Sequence, residues 1–222
     1  MTRAANSTAI QPWLDALAAL PARTRQASWV EKRCSRGEFI YRSGNQPQAL
    51  YLVRKGLVGA SLITPKGSQH LLRLFHAGDY FGHRSLFARQ PYHVDSLCLE
   101  DAELIQINKN QVFALCDQHP ELLYNQVHTL AVQLGLAEII RVDMHEKMAV
   151  QRVAEALVYL LDFDPQHRWT RREIAEFCST TTETVIRCVG NLKQQGLITQ
   201  QGRKIIILDR PQLIKLCQQQ HL

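Results

Sequence analysis

The chain lacks nearly every feature that would place it in a membrane, a disulfide framework or a metal cluster. No apolar run approaches the roughly 20 residues of a membrane-spanning helix. Residues 1–8 are small and polar, without the apolar core of a secretory leader, and are expected to form a loose tail. The cysteines stand at 34, 98, 116, 178, 188 and 217, none in a C-x-x-C pair, so zinc-finger and clustered iron–sulfur spacings are missing. For such a chain a cytoplasmic, reducing location is expected, with no membrane partner and no disulfide scaffold. There is no P-loop, no G-x-S-x-G, no H-E-x-x-H and no compact carboxylate pair. An enzyme is therefore not expected.

What is present is enough apolar character, 45% of 222 residues, for two modest domains. Lys and Arg number 26 against 20 Asp and Glu, a formal net charge of +6. That excess favours a polyanionic partner, although it is spread along the whole chain. Between Arg168 and Lys204 seven basic side chains stand against three acidic ones.

The same segment carries the most informative pattern. Thr170 can cap a short helix with Glu173 as its capping-box partner, and Ile174, Ala175 and Phe177 form the apolar face. Ser179-Thr180-Thr181 breaks the pattern, and a second helix turns Val185, Val189 and Leu192 inward. Thr182, Glu183, Ile186 and Arg187 fall on its outward face near the N-terminal end, where a recognition helix reads base edges. Two short strands around Gly202 follow, in the position of a wing. An αα-hairpin packed on a β-ribbon would share parts of this pattern. The cap, turn, outward Glu/Arg and wing together favour a winged helix-turn-helix.

Upstream, Pro12 opens a short helix that stops at Pro21. From about Glu31 to Asn108, short alternating segments are separated by Gly, Pro and Asn, which implies an antiparallel barrel or sandwich. Asn110–Asp117 reads as a helix, and Pro120 begins a longer one. In it Val127, Leu130, Leu134, Ala137 and Met144 follow a 3-4 spacing that Arg141 interrupts. This is a coiled-coil-like seam, or else the face of a helix packed on its own barrel. A reader with one helix-turn-helix usually needs a second copy, which favours a homodimer. Ala149–Phe163 and Pro211–Gln220 read as further helices.

A β-roll, a long helix and a winged helix-turn-helix, in this order, resemble the Crp–Fnr family of bacterial transcription regulators over nearly the whole length. Glu183-Thr184-Val185-Ile186-Arg187 is similar to the family's recognition core, and Gly196-Leu197-Ile198-Thr199 with Gly202 to its wing. Gly37, Gly44, Gly56, Gly67 and Ala77-Gly78-Asp79-Tyr80-Phe81-Gly82 are similar to its β-roll turns. The resemblance implies an α+β fold: a jelly-roll-like antiparallel β-roll in 1–119, a dimerisation helix in 120–146 and a DNA-binding domain in 147–222. It also implies that Thr182, Glu183, Ile186 and Arg187 face bases, that Thr170, Arg171, Thr181, Lys193 and Arg203 face phosphates, and that an activator would meet RNA polymerase.

Members that bind cyclic AMP hold its ribose with a Glu and its phosphate with an Arg ten residues later. Here those positions in Phe81-Gly82-His83-Arg84-Ser85 and onward hold His83 and His93, and Val94 replaces a small hydroxyl residue. By register, the adenine-facing positions of the long helix hold Ala137 and Glu138. A neutral imidazole is a poor substitute for a bidentate guanidinium, so tight cyclic AMP binding is not expected. Arg84 or Arg89 could reach another anion. No metal and no cofactor is expected, though His70, His76, His83 and His93 leave haem open through an axial imidazole. Cys98 and Cys116 could sense oxidants, but buried cysteines ordinarily act as small hydrophobes. The leading reading is a dimeric, sequence-specific regulator. The alternative is a β-roll ligand-binding module whose output is a protein contact.

Overall fold

The computed structural model describes residues 9–21, 24, 28–202 and 204–218. They form two compact units that meet within the long helix, one ending at Leu134 and the other beginning at Gly135.

In the first unit, helix α1 (Gln11–Ala19) precedes strands β1 (Trp29–Cys34), β2 (Phe39–Tyr41), β3 (Ala49–Lys55), β4 (Leu57–Ile63), β5 (Gln69–His76) and β6 (Tyr80–Phe81). A short helix α2 (His83–Ala88), strands β7 (Asp95–Cys98) and β8 (Ala102–Asn108), helix α3 (Lys109–Gln118) and the start of α4 (Pro120–Glu146) complete it. Two antiparallel four-stranded sheets, ordered β1-β8-β3-β6 and β2-β7-β4-β5, enclose the roll. Strand β3 is apolar without alternation because both its faces are covered. Ala49, Tyr51 and Val53 face the roll interior with Phe75, Phe81 and Leu104, whereas Leu50 and Leu52 pack with Trp13, Leu86, Leu115 and Leu122 of the helices. The turn into β4 needs glycine. Gly56 has φ +90°, and a Cβ there would lie 2.2 Å from the Asp101 carbonyl oxygen.

Three elements have little sequence signal. β1 is mostly exposed and is held by its antiparallel ladder to β8. β6 and α2 are too short for a periodic pattern.

The second unit holds the end of α4, then α5 (Ala149–Phe163), α6 (Arg171–Phe177), α7 (Thr182–Gln194), strands β9 (Ile198–Gln201) and β10 (Lys204–Ile207), and α8 (Arg210–Gln218). Leu157, Leu160, Ile174, Val185, Leu192 and Leu213 are among its fully buried side chains.

Candidate DNA interface and sensor pocket

The helix-turn-helix is built from capping chemistry. Glu173 donates its backbone N–H to the Thr170 hydroxyl, and its carboxylate accepts from the Thr170 N–H at 2.7 Å and hydroxyl at 2.9 Å. His167 adds a contact at 3.3 Å, and these bonds hold the Glu173 carboxyl below its usual range against the opposing effect of burial. Thr170 therefore spends its hydroxyl proton inside the capping box. In this arrangement it starts α6.

Ser179 adopts φ +53° in the turn, and Thr181 caps α7 by accepting the Thr184 N–H. Glu183 and Arg187 are exposed on the following turns, and Ile186 is 57% exposed between them. Thr182 is half-buried beside them. The Glu183 carboxyl is lowered by its own backbone N–H and by the Thr181 hydroxyl. Arg187 is not among the groups acting on it, and no ion pair joins the two residues among those described. An i,i+4 ion pair, the bland use for this spacing, is thus not made.

Strands β9 and β10 pair antiparallel from Ile198–Ile207 to Gln201–Lys204. Arg171 donates to Gln200 at 2.8 Å and so ties α6 to this wing. Lys193 is exposed at the end of α7. Arg203 lies outside the described residues.

In the β-roll, only part of the expected pocket comes together. His83 is buried, with its Nε2 3.4 Å from Gln133 Oε1 and its ring edge-on to Tyr80. Burial, with Arg73 and then Arg84 nearby, pushes its pKa down to about 4. Arg84 donates to His93 Nε2 at 2.5 Å, and burial, then Arg84 and Arg73, lower His93 as well. Gly82 has φ +87°, close to Ala49 and Tyr51.

Other expected members of the first unit are engaged in contacts of their own. Arg89 sits over the Phe113 ring, Ser85 donates to the Pro91 carbonyl, and Val94 is buried in the roll core. Ala137 and Glu138 are exposed and belong to the second unit. His76 is held by Asp79 at 2.8 Å.

Two residues missed in the sequence occupy the centre instead. Arg73 of β5 donates to Gln133 Oε1 of α4, the same atom that meets His83. No clean signal was available: Leu74 and Phe75 are both buried, and the pairing of β5 with β4 shifts register between Leu71 and Arg73, so alternation does not single out Arg73. Gln126, seven residues before Gln133, accepts from the Tyr80 hydroxyl at 3.0 Å. Along the other side of α4, Val127 and Leu134 are 59% and 63% exposed and Leu130 is half-buried. Ala137, Arg141 and Met144 are exposed on its second-unit portion.

The comparisons agree with this architecture. The cyclic nucleotide-binding domain family matches residues 31–119, and the Crp-like helix-turn-helix domain family matches residues 151–216. The cyclic AMP receptor protein of Thermus thermophilus is 30% identical over 174 residues, spanning 77% of this chain and 81% of its own length. The chain belongs to the Crp–Fnr family. The anaerobic regulatory protein of Bacillus subtilis, 24% identical, spans 83% of this chain and 82% of its own. A solved CRP/FNR-family transcriptional regulator from Thermus thermophilus superposes with a TM-score of 0.71 at 26% identity, covering 86% of this chain and 100% of that one. This Crp–Fnr member is a DNA-binding transcription regulator, not an enzyme. No helix among its described residues is long and apolar enough to cross a membrane.

Proposed function

We propose that this regulator acts as a homodimer on an inverted repeat. The seam of Val127, Leu130, Leu134 and Ala137 meets its copy about a twofold axis, with Arg141 and Met144 continuing it. Arg187 donates in bidentate fashion to a guanine in each half-site, Glu183 accepts from a cytosine or adenine amino group, and Ile186 lies against a thymine methyl. Thr182 stands where the cyclic-AMP branch places an Arg that reads a further guanine. The half-site is therefore TTGA-like and not TGTGA-like, with centres about one helical turn apart. Arg171, Thr181, Lys193 and Arg203 set register on phosphates. An activator of this kind would also contact RNA polymerase.

The observation that carries the reading is that Glu183 and Arg187 are exposed on the first turns of α7, with no ion pair between them among the described residues. A β-roll module signalling only through a protein contact would have no use for that arrangement. The β-roll senses a signal other than cyclic AMP, since His83 and His93 replace the carboxylate and guanidinium that hold it. The reading invokes no haem and no metal.

Binding-site selection on the purified protein tests it. The expected result is a palindrome of TTGA-like half-sites, and Arg187→Ala should lose roughly 1–3 kcal/mol per half-site with flattened preference at the guanine. No palindrome, or unchanged base preference in Arg187→Ala, would defeat it.

A further inference from the structure

The four basic side chains gathered in the β-roll have no acid among them. Arg73 is half-buried, and among the described residues its hydrogen-bond partner is the neutral amide oxygen of Gln133. One acceptor leaves most of a guanidinium's five donors unused. Burial and then the approach of Arg84 work against its charge, and no carboxylate acts on it. The charges acting on His83 and His93 are again Arg73 and Arg84, with no acid. The nearby Asp95 is committed to Arg42 and to the Ser43 N–H.

The hydrogen bonds also set which nitrogens donate. Arginine only donates, so the Gln133 atom it meets is the oxygen, and His83 Nε2 must carry the proton that faces it. His83 Nδ1 is then a lone pair, buried and without a partner. By the same rule His93 Nε2 accepts from Arg84, so its Nδ1 is a donor.

We infer that this cluster binds a small dianionic oxyanion, of the kind carried by a phosphate monoester or a dicarboxylate. The inference rests on the reading of the β-roll as a sensor. Two guanidiniums with no internal counter-charge match two negative charges, and the guanidiniums and His93 supply donors to oxygen. A cyclic phosphodiester carries only one charge. Inorganic phosphate carries that double charge near neutral pH, so it is the first probe.

Isothermal titration of the full-length protein with sodium phosphate, and separately with sodium succinate, tests this at constant ionic strength against sodium chloride. At least one dianion should bind saturably with a millimolar or lower Kd, and cyclic AMP should not. Arg73→Gln and Arg84→Gln should each weaken that binding at least about tenfold, while Lys66→Gln, an equal charge loss on an exposed turn, should not. The stronger of phosphate and succinate identifies which source of the chemistry the site takes. Circular dichroism checks that Arg73→Gln is folded, and the exposed Arg84 provides an independent variant if it is not. No saturable heat with either dianion, or binding unchanged in a folded variant, overturns the proposal. The titration contains no DNA, so a mobility-shift assay on the same preparation reports on operator binding separately.

Discussion

Arg73 donates to the side-chain oxygen of Gln133, and that bond decides the protonation of His83 beside it. The amide orientation is fixed by a residue that cannot accept, so His83 is a neutral donor at Nε2. Two guanidiniums and full burial then oppose its second proton.

Stability should therefore fall in acid. The unfolded chain protonates His83 near its ordinary 6.5, whereas the folded chain resists until about 4. Between those values the unfolded state binds more protons, so stability is lost as pH falls. The loss attributable to His83 is at most roughly 3 kcal/mol between neutral pH and pH 4. Denaturant unfolding of His83→Gln should show a flatter acid limb than the parent. Identical limbs would show that another group carries the titration.

Assembly depends on the exposed side of α4. Leu134→Asp places a charge in the seam and should convert a dimer to a monomer at micromolar concentration in sedimentation. A parent protein that already sediments as a monomer, with Leu134→Asp changing nothing, would remove the seam from the account.

The thiols should be slow. Burial raises Cys98 and Cys178 to about 12 and Cys116 and Cys217 to about 11. Cys34 and Cys188 are raised for the same reason. The thiolate is the reactive form, so iodoacetamide at pH 8 should modify the native protein at least about tenfold more slowly than the unfolded chain. Intact-mass measurements follow the adducts, and a rapid native adduct on Cys98 or Cys116 would reopen an oxidant-sensing role.

Base preference should respond to a single added fork. Thr182→Arg should shift the first position of the TTGA-like half-site toward guanine, by roughly 1–3 kcal/mol per half-site if bidentate. Selected sites identical to those of the parent would mean that residue 182 does not face a base.

Much of the reading side is local in the sequence. The Thr170–Glu173 cap, the break at Ser179-Thr180-Thr181 and the inward Val185, Val189 and Leu192 lie within a few turns of one another, so residue type and spacing determine them. The turns around Gly56 and Gly202 are equally local. The basic cluster of the β-roll is not. Arg73 and Gln133 are 60 residues apart, and nothing in either segment names the other. Only the packing of α4 on the roll puts an amide oxygen against Arg73. The same packing strips water from His83 and holds it neutral. Edge strand β1, whose side chains are largely exposed, likewise exists because the backbone of β8 pairs with it. Local periodicity specified the elements that read DNA, and long-range burial, which a one-dimensional pattern does not encode, decided which side chains share the pocket.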